Sequence, residues 1–438
     1  MSQQHIEICI RTAQPGPRLA YVADFIFGEV LRLPYTLVAP GGHQHGIVLT
    51  YGTDPSGKSM PAAGLLESGA TLSENPKIRE EHGLPQLFPA ASEGAAHSDS
   101  YPFDLFSAIF YSLTRMEELD CERDQHGRPM ASKSLMAQWM QRPYVDIWIR
   151  HFAQWLLGKE RMAELPLARA KWYNTLDVDI AFAYLGRGPL RQMGSSAKQL
   201  LRADLSGLKE RLGVLRGMHS DPFDTYSIFL NEATHAHRSI AFLPLAGKSR
   251  YDIQLRAQHS HMQKLFARLS EVAELGIHPS YMSSEEPNHI ARECGIFESV
   301  IGEAPKRSRQ HFLRMQFPNT LKILSAYGIE EDFSMGYADG IGFRSGTAHP
   351  YRYYDFRDER VLPIRILPLV AMDSALKNYL AQEPDTAIEA LKLLWDNVKE
   401  SGGIFVSVWH NHSLSDRHEW LGWRRVYLEM ATYIREHP

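Results

Sequence analysis

Cysteine is scarce in this 438-residue chain: Cys9, Cys121 and Cys294 stand far apart and are odd in number. That excludes a disulfide framework and fits a reducing compartment. Excess charge of one sign is also missing, since 47 Lys+Arg against 51 Asp+Glu leave a formal net charge of −4. A chain so balanced is not built to coat itself in phosphate backbone, so no nucleic-acid partner is expected. No apolar run approaches the ~18–20 residues of a membrane span. The opening MSQQHIEICIRTAQPG has no basic segment followed by an apolar core, so the expected location is cytoplasmic. No internal repeat or low-complexity tract interrupts the chain. What is present is an ordinary globular balance, 44% hydrophobic and 22% charged, with length for two or three full-sized cores.

The stretch 54–100 is rich in Pro, Gly, Ser and Ala and reads as loop or irregular surface. Phe103, Phe106, Ile109, Phe110 and Leu113 then recur at helical spacing, and VDIWIRHFAQWLLG predicts a second helix stopping at Gly158. After Pro166 the character changes. Short apolar runs (KWYNTL, YSIFL, IAFLPL, GIHPS, HFLRM, GIFVSVW) alternate with helical patterns, which predicts a parallel sheet or barrel with strands buried on both faces. The boundary is placed at 165, giving an N-terminal domain 1–165 and a barrel domain 166–438.

In such folds reactive residues come from the carboxyl ends of strands. Here those ends are unusually polar. WYNTL runs into Asp177 and Asp179, YSIFL into Asn231-Glu232, and GI into His278; HFLRM carries His311 and Arg314, and IFVSVW runs into His410-Asn411-His412. Carboxylates, imidazoles and an arginine at one barrel mouth suit a metal-assisted hydrolase. A carboxylate and two or three imidazoles can hold Zn²⁺ with an open position for water. A second carboxylate then takes the proton, and a free imidazole protonates the leaving group.

These residues resemble the motifs of the polysaccharide deacetylase family (the NodB-homology domain, carbohydrate esterase family 4). The likeness implies an α/β fold: a distorted (β/α) barrel, here preceded by a smaller α/β N-terminal domain as in an uncharacterised bacterial branch of the family. It implies a metal-dependent hydrolase removing acetyl groups from N- or O-acetylated sugars, with zinc the expected ion and cobalt, nickel or manganese the alternatives. Thr175-Leu176-Asp177-Val178-Asp179 resembles the opening motif, making Asp177 the general base and Asp179 a metal ligand. Gly276-Ile277-His278-Pro279-Ser280 is similar to the second motif, giving His278 a ligand role. Arg314-Met315-Gln316-Phe317-Pro318 resembles the third, whose arginine orients the base and whose backbone N–H, here near Phe317, helps hold an oxyanion. Asp332-Phe333-Ser334 resembles the fourth, whose carboxylate tunes the catalytic histidine. Val408-Trp409-His410-Asn411 resembles the fifth, making His410 the general acid and placing Trp409 beside substrate.

The chain departs from the family where a partner histidine is usual: position 282 is Met282. His311 is the first choice for the third ligand. Three residues separate it from Arg314, which would send the two to opposite faces of a regular strand, so a bulge or strand end is expected there. His412 is the other candidate at the same mouth. The loop Gly340–Gly346 is read as a tight turn presenting Arg344 to substrate, and not as a dinucleotide fingerprint, because Ser345 stands at the third glycine position. The pairs His43/His45, His235/His237 and His259/His261 are read as surface residues. Two other readings stand beside the deacetylase: a carbohydrate-binding protein on a barrel that has lost its metal, and a hydrolase of a non-sugar, non-peptide amide.

Overall fold

The computed structural model describes residues 6–42, 45–52, 57–90, 99–165, 168–245 and 249–438. Near the N-terminus, strands β1 (Ile8–Thr12), β2 (Tyr35–Val38), β3 (Ile47–Tyr51) and β4 (Ser59–Met60) form a parallel sheet in the order β2-β1-β3-β4. A hairpin, β5 (Ile78–Glu81) with β6 (Leu84–Leu87), follows; apart from β4 and this hairpin the expected irregular stretch has no strand among its described residues. The apolar spacing after residue 103 forms the helix Leu105–Thr114, buried at every position. Asp104 starts it by accepting from the Ser107 N–H at 3.0 Å, a side-chain N-cap. The helix Tyr144–Leu157 ends at the expected Gly158, whose φ of 83° suits a residue without Cβ.

The second sheet has nine strands: β7 (Lys171–Asp177), β8 (Arg238–Pro244), β9 (Glu274–His278), β10 (Arg307–Ser308), β11 (Glu331–Asp332), β12 (Tyr351–Asp355), β13 (Arg360–Ile366), β14 (Leu369–Met372) and β15 (Ile404–His410). Their order is β12-β13-β11-β10-β9-β8-β7-β15-β14, parallel throughout except β12 against β13. Strands β13 and β14 lie near opposite edges, yet only two residues join them. Three peptide steps reach about 10 Å, so the sheet must curl until its edges nearly meet. The result is a barrel-like sheet, and β15 is buried at every position as helices covering its outer face require.

Two expected strands take other forms. YSIFL lies in the helix Tyr226–Ala233, on which Glu232 pairs with Arg435; neither Asn231 nor Glu232 stands at a strand end. A short apolar run fits either period, and here flanking helical residues decide. HFLRM is a one-turn 3₁₀ segment, not a strand: Phe312 and Leu313 adopt φ of 61° and 54°, reversing the chain between His311 and Arg314. No helix among the described residues is long and apolar enough to cross a membrane.

Candidate active site

Strand register builds the site. In the β7–β15 ladder Asp177 pairs with His410, and on the other side of β7 it pairs with Phe242 of β8. His278 closes β9 opposite Pro244 of β8. The carboxyl ends of β7 and β15 are therefore level, those of β8 and β9 lie two residues further on, and Asp179, two residues beyond Asp177, returns to the same side. Asp177, Asp179, His278 and His410, together with Gln310, His311, Arg128, Tyr379 and His412, line a cavity of about 240 Å³.

Three imidazoles converge on one carboxylate. His278 Nε2 lies 3.1 Å from Asp179 Oδ1, while His311 Nε2 and His410 Nε2 lie 3.8 and 3.5 Å from Oδ2. Each ring's other nitrogen faces an acceptor: the Arg309 carbonyl at 2.6 Å for His278, Asp252 Oδ1 at 3.0 Å for His311, and Asp373 Oδ1 at 2.7 Å for His410. A carbonyl oxygen only accepts, so His278 Nδ1 carries hydrogen and a neutral ring turns the Nε2 lone pair toward Asp179. A lone pair aimed at a carboxylate oxygen repels it unless a proton or a cation lies between. Asp179 Oδ1 is in fact buried and accepts no hydrogen bond. Asp179, His278 and His311 offer ligand atoms within 4.8 Å of one another. One carboxylate, two imidazoles and second acceptors fixing both rings are the donor set of an open zinc site, so the residues fit the ion.

The charges agree. Burial alone would raise the Asp179 carboxyl, but the charges of His410 and His311 hold it well below the usual carboxylate range. Burial works against protonation of His311, yet Asp179 and Asp252 lift it to about 9. His410 is lifted against its burial to about 10 by Asp373 and Asp179, so it holds a proton at neutral pH. Asp177 pairs with the fully buried Arg309 at 2.8 Å, whose guanidinium also packs 4.3 Å from the Phe242 ring centre. Removing one member of such a pair typically costs about 3–5 kcal/mol, because the other charge stays buried and unpaired.

Several expected site residues lie elsewhere. Arg314 does not reach Asp177; the left-handed turn at Phe312–Leu313 swings it away to the carbonyls of His126 and Tyr281 and to Glu285. The arginine that pairs with Asp177 is Arg309. Asp332 does not touch His410; it accepts from the Ser308 and Ser334 hydroxyls, and Asp373, one residue past β14, takes the histidine. Phe317 stacks on Tyr353 at 5.4 Å and lines a different cavity. Trp409 points away from His410, as strand alternation demands, and meets Tyr427 edge-on inside the core. Arg344 is buried against Glu118. Its loop needs glycine for packing: a Cβ at Gly342, whose φ is 113°, would stand 2.2 Å from the Met140 carbonyl oxygen.

Met282 lies on the short turn Tyr281–Ser284 and does not line the cavity. Of the other paired histidines, His259 caps a helix through the His261 N–H and His237 accepts from the Trp172 N–H; His43 lies outside the described residues. Asp252, Gln310 and Arg128 escaped the sequence reading, although Gln310 sits between Arg309 and His311 at the end of the polar run 306–311.

Residues 8–161 match the model of a family of unknown function, DUF7033. No curated protein matches the chain. Among solved structures, a candidate polysaccharide deacetylase from Mycobacterium smegmatis is similar at 15% identity and a TM-score of 0.39, over 62% of this chain and 91% of that one. A polysaccharide deacetylase from Bacillus cereus is similar at 12% identity and a TM-score of 0.27, over 62% and 88%. A 7,8-dihydropteroate synthase from Vibrio fischeri follows at 9% identity and a TM-score of 0.26, over 61% and 94%.

Proposed function

We propose that the chain is a metal-dependent hydrolase that removes an acyl group from an N- or O-acylated sugar. The observation that carries the reading is the convergence of His278, His311 and His410 on Asp179, each ring oriented by a second acceptor, beside the Arg309–Asp177 pair. Asp179, His278 and His311 would hold the ion, which when bound polarises the acyl carbonyl and acidifies water. Asp177 faces the same cavity and takes the proton of the attacking water, with Arg309 fixing its carboxylate. His410 carries its proton at neutral pH and donates it to the departing amine or alkoxide, and Asp373 holds the ring against rotation by accepting from Nδ1. Ser413 and the His410 backbone N–H fasten Asp373 in turn.

The sugar comes from the motif resemblance around Asp177, His278 and His410. A cavity of about 240 Å³ suits one sugar ring with its acyl arm. The missing histidine at Met282 gave grounds for a barrel without metal; His311 supplies a third donor and favours the hydrolase. The test is release of acetate from N-acetylglucosamine oligomers by zinc-loaded protein. Expected is turnover abolished by a chelator and restored by zinc. Turnover that ignores the chelator contradicts the mechanism, and zinc-dependent turnover of cyclic amides but of no acetylated sugar contradicts the substrate.

A further inference from the structure

The residues 310–317 serve two cavities. Gln310, His311, Phe312 and Leu313 line the one described above, while Arg314, Met315, Gln316 and Phe317 line a second of about 320 Å³ that shares no residue with the first. The left-handed pair Phe312–Leu313 turns the chain from one to the other. Between them stands a wall of rings, in which Phe312 lies 5.3 Å from Tyr281 and 5.0 Å from His126.

The second cavity is rich in guanidinium. Arg115 and Glu118 on its wall are already matched, to each other and to Glu117 and Arg344. That leaves Arg123, Arg314 and Arg357 against one carboxylate, Glu285, in a chain whose net charge is −4. Arg123 spends its bonds on the Gly127 and Glu118 carbonyls, and so brings a whole positive charge to the rim. Arg314 is anchored by the His126 and Tyr281 carbonyls and by Glu285. The Arg357 side chain has no hydrogen bond or ion pair among the described residues and is exposed at the cavity. An independent observation points the same way: Ser284 lines this cavity, is 2% exposed, and its hydroxyl has no partner. A buried hydroxyl left without a bond costs free energy unless a ligand or water meets it.

We infer that this second cavity is an anion site for a phosphoryl group, held by the Arg123, Arg314 and Arg357 guanidiniums and the Ser284 hydroxyl. Guanidinium forks match the tetrahedral oxygens of phosphate, and the orphaned hydroxyl supplies a further neutral donor. The free anion and a phosphate ester share this chemistry. The inference does not rest on the proposed hydrolysis, because none of these groups faces the first cavity.

The test is calorimetric titration of the full chain with inorganic phosphate and, separately, with N-acetylglucosamine 1-phosphate. Expected is saturable binding at one site per chain, with the two probes competing; a tighter sugar phosphate identifies an ester as the natural ligand, and equal affinities identify the free anion. Arg123→Gln with Arg357→Gln, both exposed positions, weakens binding at least tenfold, and Ser284→Ala weakens it by a smaller factor. His278→Ala, in the other cavity, leaves it unchanged. No saturable binding of either probe overturns the inference. So does binding that survives in the double arginine variant, or that is lost in His278→Ala and therefore belongs to the first cavity.

Discussion

Two buried ionic clusters differ in how completely their charges are matched. In one, Arg344 grips Glu118 through two bonds of 2.9 and 2.6 Å while Arg115 bonds Glu118 and Glu117. Glu117 also accepts from the Ser134 hydroxyl and the Leu135 N–H, both at 2.9 Å. Two cations meet two anions, and although burial pushes the Glu118 carboxyl up, Arg344 and Arg115 bring it down to about 2. This cluster ties the segment that follows the helix Leu105–Thr114 to the loop Gly340–Gly346 and asks for nothing more. In the other cluster, three imidazoles are aimed at the single carboxylate of Asp179, one of whose oxygens accepts no hydrogen bond. A closed cluster is structural; one whose donors converge without satisfying each other is completed by a ligand.

The comparison is broken most severely at Asp177. Asp177→Asn removes the proton acceptor and keeps the shape, and turnover falls about 10²–10⁴-fold; initial rates on acetylated oligomers measure it, with zinc content unchanged. Glu118→Gln strikes the closed cluster instead. Stability drops by about 3–5 kcal/mol, as expected when buried cations lose their partner. Denaturant unfolding reports it, while turnover of the folded fraction stays the same.

The next prediction sharpens the role of the second acceptors. Asp252→Asn leaves the ligand set intact but loosens His311, and zinc affinity falls about 10–100-fold, read by competition with a chelating dye. Proton linkage gives a related signature. His311 at about 9 in the metal-free chain must lose its proton to bind an ion, so zinc affinity rises from pH 7 to 9, by up to about tenfold per unit, and then flattens. The metal-free fold itself runs the other way. His410, lifted from 6.5 to about 10, contributes stability that is full below pH 6.5 and is lost as pH rises toward 10; thermal unfolding across that range checks the slope. The smallest effect is expected at Arg314. Arg314→Ala leaves turnover of an unphosphorylated acetylated sugar within about twofold, a change under roughly 0.5 kcal/mol.

The strand ends were legible because polar residues directly after apolar runs are conspicuous. Asp177, Asp179, His278, His311 and His410 all line one cavity. The choice between Arg309 and Arg314 was not legible, since both flank the same short segment. It is made by two left-handed residues, Phe312 and Leu313, whose side chains give no sign of that conformation. Asp332 and Asp373 likewise both stand at the carboxyl ends of short strands, β11 and β14. Only the sheet order, which sets β14 beside β15 and puts four strands between β15 and β11, gives His410 to Asp373. The partnership of Arg344 with Glu118 spans 226 residues and has no local mark. Trp409 is different: alternation along β15 already sent it away from His410, and that signal was readable from the sequence.

Anomalous diffraction at the zinc edge from crystals of the full chain grown with zinc tests the central claim most directly. The account predicts one peak within bonding distance, about 2.0–2.2 Å, of Asp179, His278 Nε2 and His311 Nε2, absent in crystals of His311→Ala. A zinc-loaded crystal with no peak among these three residues, or with the ion held elsewhere while His311→Ala retains it, would contradict the account.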